Sequence, residues 1–291
     1  MDGINRVSLA QRLRVYKKRP FSFLLLLLVL ICAFITVCVL LFVVGYILIK
    51  GIPNLSLDLF AWEYNSENVS MTPAIVNTVT MTALSLFLSV PIGVFAAIYL
   101  VEYAKRGNKL VSVIRVMAET LSGIPSIVYG LFGSLMFVAA FGGYSILAGA
   151  LTMAIMILPL IMRTTEEALK AVPDSFREGS FGLGAGKLRT VFRVVLPSAV
   201  PGILSGVILG IGRIVGETAA LIYTAGTVAG IPENLMQSGR TLAIHMYALI
   251  NEGLYEEQAY ATAVVLLVMV VGINALSYFV AKKLGKRINN G

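Results

Sequence analysis

The chain has 291 residues, 58% hydrophobic and only 13% charged, with a formal net charge of +8 and a mean hydropathy of +0.87. Soluble domains carry roughly 25% charged residues, so a water-soluble enzyme is excluded and an all-α polytopic membrane protein is expected. The positive balance does not indicate a nucleic-acid partner, because Lys and Arg flank apolar runs instead of clustering on a polar surface.

Residues 1–20 form a basic tail with Arg6, Arg12, Arg14, Lys17, Lys18 and Arg19. The apolar run at 21–50 exceeds the roughly 7–15 residues of a signal-peptide core and reads as a retained first span over 22–49. Cys32 and Cys38 both lie in that run, where two thiols on one lipid-embedded helix suggest packing, with no disulfide and no metal. Residues 51–72 are polar. A core at 73–281 then holds five more spans, expected at 73–101, 113–139, 144–163, 197–226 and 258–281, before a basic tail at 282–291. Each reaches the roughly 20 residues that cross a bilayer. Lys105, Arg106 and Lys109 mark one connection and Gly142-Gly143 the next. A segment at 227–257, carrying Arg240 and His245, is expected as a plain loop or a strip along the membrane surface. His245 is expected to make an ordinary polar contact there.

Of the 23 Lys and Arg, 19 fall on segments sharing the side of the N-terminus, and only Lys50 and Arg240 on the other. The positive-inside rule then places both ends and the polar loop at 164–196 in the cytoplasm. In this loop Pro173-Asp174-Ser175 predicts a helix start capped by Asp174 or Ser175, running to Leu183. Gly182, Gly184 and Gly186 predict an elbow, and 188–195 a second short helix stopped by Leu196-Pro197. The run Gly182-Leu183-Gly184-Ala185-Gly186-Lys187 imitates a phosphate-binding loop. Phe181 and Leu188 stand where the Walker pattern requires Gly and Ser or Thr, so the chain is not expected to bind ATP.

Ionisable residues inside spans are functional candidates. Arg213 and Glu217 stand at i, i+4, expected on one helical face near the middle of the fifth span, among Gly210, Gly212 and Gly216. Two readings are open: a self-neutralising packing pair, or an oxyanion site built on the planar guanidinium fork. Arg163 closes the fourth span and either snorkels to the interface or supplies a second fork. Glu217 would accept a hydrogen bond from a protonated oxyanion such as hydrogen phosphate and repel fully ionised sulfate. Glu119 reads as interfacial. The stretch Gly123-Ile124-Pro125-Ser126-Ile127-Val128-Tyr129-Gly130 predicts a loosened third span with freed backbone groups.

The loop Glu178-Gly179-Ser180, three residues, Gly184, nine residues, Val194, one residue, Leu196-Pro197 resembles the EAA loop of ABC importer permeases. Glu178, Gly184, Leu196 and Pro197 match; Gly179 and Ser180 depart from the two alanines, and a helical glycine costs about 1 kcal/mol. The third-span stretch and Gly212-Arg213 with Gly216-Glu217-Thr218 resemble segments of phosphate permeases, the PstA-type subunits. The resemblance spans roughly 70–285. It implies a type I importer permease with six transmembrane helices in a bacterial or archaeal cytoplasmic (inner) membrane, without catalysis or cofactor of its own. Implied partners are a second phosphate permease (PstC type), an ATPase subunit dimer docked on the EAA-like loop, and an extracytoplasmic phosphate-binding protein. Arg163 and Arg213 would contact phosphate with Glu217 near them, and Gly123, Pro125, Ser126 and Thr218 would line the pathway. The alternatives are an ABC permease for another oxyanion, such as sulfate or molybdate, an ion-coupled secondary carrier, or a membrane anchor whose charges serve assembly.

Overall fold

The computed structural model describes residues 20–105 and 107–289, with side chains over 21–105 and 107–279, and only helices, turns and loops occur among them. The basic tail expected at 1–20 lies outside the described residues save Pro20, as do Arg106 and the side chains of the tail at 282–291. Contacts divide the chain into two compact units, 1–50 and 51–291. The first contributes α1 (Pro20–Gly51), which is apolar on every side, as a lipid-embedded helix must be.

The second unit opens with 3-10 turns at Ile52–Asn54 and Asp58–Phe60 and enters α2 (Thr72–Ile98), which ends in a π turn at Tyr99–Tyr103. Pro73 sits in the first helical turn, where an N–H is unpaired anyway. Next come α3 (Lys109–Ser122) and α4 (Ser126–Gly133), the latter prolonged by a π turn at Ser134–Val138 and by Ala139–Phe141. These two were expected as one span at 113–139. They are bent by 101° at Gly123-Ile124-Pro125. Pro125 has no N–H and pushes Ile124 out of the helical region, so the ladder stops. The Tyr129 hydroxyl donates to the Leu121 carbonyl across the break at 2.8 Å.

After the turn at Gly142 (φ 76°), Ser145 caps α5 (Ile146–Lys170), its hydroxyl accepting from Ala148 N–H at 3.1 Å. Thr78, Thr82, Ser85 and Ser89 form a buried seam along α2, each hydroxyl donating four residues back. The seam satisfies its own polar atoms in an apolar setting and keeps α2 thin where it packs along α5. Because α5 continues seven residues past its expected end at 163, the polar loop shrinks to 171–186.

Within that loop are α6 (Asp174–Gly182) and the start of α7 (Lys187–Thr190), joined by an elbow where Gly184 has φ 82°. Neither Asp174 nor Ser175 caps α6 as expected: Pro173 holds the cap position, and Asp174 accepts from Arg177 instead. The expected stop at Leu196-Pro197 also fails. α7 passes through a π turn at Val191–Val195 straight into α8 (Leu196–Val215). An ordinary helical turn would clash with the Pro197 ring; the wider turn accommodates it. A β-carbon on Gly206 would collide with Thr164, so α8 meets α5 backbone-close beside Arg163.

α8 ends at Val215, well short of the expected 226, and is followed by α9 (Ala219–Ile222), α10 (Leu242–Glu252) and α11 (Glu256–Asn289). The segment at 227–257 is not a plain loop, since it carries α10. Leu242 to His245 of α10 are buried, Leu242 with Leu59, Met71, Ala74 and Ala261. Among the described residues, five helices are long and apolar enough to cross a membrane, and six spans result if the bent α3–α4 pair counts as one.

Candidate functional site

α3, α5 and α8 converge on a cavity of about 600 Å³. Arg115 and Glu119 of α3, Arg163, Glu166 and Glu167 of α5, and Arg213 of α8 line it. Arg163 Nε lies 3.3 Å from Glu167 Oε1, one helical turn on, and its Nη1 lies 4.0 Å from Glu119 Oε1. All three side chains are largely exposed to the cavity or its mouth. Such pairs are weak in water-accessible settings, so the Arg163 guanidinium remains available to an anion that offers better geometry.

Arg213 differs. It is half-buried and makes no hydrogen bond or ion pair among the described residues, although the Tyr129 hydroxyl lies within range of its field. Of the two open readings, the self-neutralising pair with Glu217 does not form, and the expected common helical face is broken. The helix closes at Gly216, and the Glu217 carboxylate turns the other way, Oε1 accepting from the Ala220 N–H at 3.0 Å and so starting α9. Gly216 offers no side chain to hold the next turn, and Glu217 captures an orphan amide that a continued helix would have paired. The structure thus brings Arg163 and Arg213 to one cavity and leaves Glu217 off its lining. Gly123 and Pro125 are exposed at the α3–α4 break with Ser126 half-buried beside them, and Thr218 is half-buried before α9. None of these four lines the cavity, though the adjoining Ser122 does.

Residues unremarked in the sequence complete the basic end of the cavity. The Glu166 carboxylate is buried, 8% exposed, and its Oε1 receives Arg115 Nη2 at 2.7 Å and Lys170 Nζ at 2.5 Å. Glu166 and Lys170 at i, i+4 were legible as a pair; the long-range partner Arg115 was not. On the elbow, Glu178 and Gly184 are exposed, Leu196 and Pro197 half-buried, and an apolar tip projects with Leu183 and Leu188 among its most exposed members.

A second polar cluster lies away from this cavity. Arg240 is buried with its guanidinium 4.6 Å from the Tyr64 ring centre, and the fully buried His245 meets the same ring edge-on. Arg240 Nε and Nη2, both His245 ring nitrogens and the Thr241 hydroxyl have no hydrogen-bond partner among the described residues. His245 is therefore no ordinary surface contact. Burial first, and the Arg240 charge second, push its pKa down to about 3, against a smaller opposing effect of the Val69 backbone.

A family model described as binding-protein-dependent transport system inner membrane component matches residues 89–290. The "Probable ABC transporter permease protein YqgI" of Bacillus subtilis (strain 168) is 32% identical over 277 residues, covering 89% of this chain and 94% of that protein. The phosphate transport system permease protein PstA of Pasteurella multocida (strain Pm70) is 36% identical over 248 residues, 80% of this chain and 85% of its own. Among solved structures, a bacterial ABC transporter involved in the import of the acidic polysaccharide alginate aligns with a TM-score of 0.66 at 16% identity. The alignment covers 93% of this chain and 99% of that one, a likeness of fold.

Proposed function

The chain belongs to the binding-protein-dependent transport system inner membrane components, and on that premise we propose that it is the permease half of an ATP-driven importer of inorganic phosphate. The observation that carries the reading is the cavity whose lining holds both Arg213, without a hydrogen bond or ion pair among the described residues, and the available guanidinium of Arg163. A half-buried cation without a protein partner gains from an anion that visits it, and a planar fork suits phosphate oxygens. The PstA relatives support phosphate as that anion.

In this reading the chain pairs with a second permease of PstC type, two copies of an ATPase subunit and an extracytoplasmic phosphate-binding protein. The α6 elbow faces the cytoplasm, as the distribution of Lys and Arg supports, and its exposed apolar tip docks on the ATPase. Glu178 and Gly184 shape that docking knob, and Leu196 and Pro197 lead it into α8. ATP-driven motion of the knob then shifts α5 and α8 and turns the cavity from one side to the other. Gly123, Pro125, Ser126 and Thr218, exposed or half-buried on this chain, would complete the pathway against the second permease. Glu217 would tune the choice between hydrogen phosphate and sulfate by fixing the α8–α9 break behind Arg213.

The test is uptake by the assembled complex in liposomes. Phosphate uptake that requires ATP, and that sulfate and molybdate do not inhibit, is expected. Preferential uptake of either competitor overturns the substrate assignment, and ion-driven uptake by this chain alone overturns the importer.

A further inference from the structure

We propose that Arg177 is the joint through which motion of α6 reaches the membrane helices, an inference that rests on the importer reading above. Its guanidinium is 15% exposed, and all five of its N–H groups find acceptors. Nη2 donates to Glu102 Oε1 at 2.7 Å and to the Leu169 carbonyl at 2.9 Å. Nη1 donates to the Val172 carbonyl at 2.8 Å and to Asp174 Oδ1 at 3.2 Å, and Nε meets Glu102 Oε1 at 3.2 Å. One side chain thereby ties three elements. They are α6, which carries it, the C-terminal end of α5, where it donates to the Leu169 carbonyl, and the π turn at Tyr99–Tyr103 that ends α2.

Glu102 is only 8% exposed, so the ion pair is held with little competition from water. A second contact ties the other arm of the elbow to the same π turn: Lys187 Nζ lies 5.1 Å from the Tyr103 ring centre. Within the elbow, the Ser180 and Thr190 hydroxyls meet at 2.8 Å. With both arms fastened, the elbow moves as one body with the ends of α2 and α5 and does not fold like a hinge. Arg163 stands seven residues before Lys170 on α5, about 10 Å at the helical rise of roughly 1.5 Å per residue. Displacement of α6 therefore displaces the substrate-facing stretch of α5. Meanwhile Glu178, the next residue on α6, stays exposed for the partner.

As a positioning residue, Arg177 predicts uncoupling. The assay is phosphate transported per ATP hydrolysed by the reconstituted complex. Arg177→Gln is expected to assemble and to hydrolyse ATP at the unstimulated rate while transport per ATP falls at least about tenfold. Glu102→Gln should fall in the same direction, the double variant no further than the worse single one, and Arg177→Lys should recover part of the loss. A merely structural role would lower complex yield and leave the ratio intact. The proposal is overturned if assembled Arg177→Gln and Glu102→Gln complexes keep the unmodified ratio, or if neither assembles. Should the unmodified complex show no phosphate-stimulated hydrolysis, the importer reading itself fails, which is a distinguishable result.

Discussion

Two arginines mark two regions of this permease that use the same chemistry for opposite ends. On α6 of the elbow, Arg177 commits every donor to the protein, to Glu102, Asp174 and two carbonyls. In the cavity wall, Arg213 commits none among the described residues. A guanidinium with all its partners in place fixes geometry; one that is half-buried without partners among the described residues keeps its donors free for a ligand. Arg240 sharpens the contrast. Two of its nitrogens are also unpartnered among the described residues, yet it is buried against the Tyr64 ring and lies off the cavity lining. Of the two, only Arg213 lines the cavity, and that is what makes it the candidate.

The comparison breaks first at Arg213. Arg213→Gln should lower phosphate uptake by the assembled complex about 100-fold, since one or two hydrogen bonds to a charged group are worth roughly 1.5–3 kcal/mol each. Complex yield should hold, because no described partner of the side chain is lost.

The next effect belongs to the sealed cluster and is a pH dependence. His245 titrates at about 3 in the fold and near 6.5 when unfolded. The unfolded chain thus takes up the proton first, and stability falls as pH drops below about 6.5, by at most roughly 1.4 kcal/mol per pH unit. Thermal unfolding followed from pH 7.5 to pH 5 should show this slope, and His245→Phe should flatten it.

Arg115→Gln removes one of two cations from buried Glu166. A loss of about 1–2 kcal/mol in stability is expected, kept small because Arg115 is itself 43% exposed and Lys170 remains. The smallest effect is expected at Arg163. It is 61% exposed and shared with Glu167 and Glu119, so Arg163→Gln should reduce uptake less than about tenfold. An Arg163 loss equal to that of Arg213 would erase the distinction drawn between them.

Much of this was legible in the chain. The apolar runs mark the long helices, Pro125 marks the α3–α4 break, Gly184 marks the elbow, and the charges in apolar surroundings picked out Arg163 and Arg213. What stayed hidden has physical causes. Glycine at 216 is tolerated inside helices as well as at their ends, so periodicity carries through it, and only the capture of the Ala220 amide by Glu217 ends α8 there. Pro197 reads as a stop because the π turn that accommodates it leaves no signature in Val191 to Val195. Arg177 and Glu102 stand 75 residues apart, and nothing local links them. Arg240 and His245 look like loop residues because their burial comes from the packing of Tyr64 and α10, a tertiary event.

The central claim is that Arg213 holds phosphate in transit, and the most direct measurement is a structure of the assembled complex trapped with phosphate in its passage. The account predicts a phosphate oxygen within about 3 Å of the Arg213 guanidinium, with Arg163 on the same cavity. Phosphate bound elsewhere, with Arg213 paired to a carboxylate of the second permease, would contradict it.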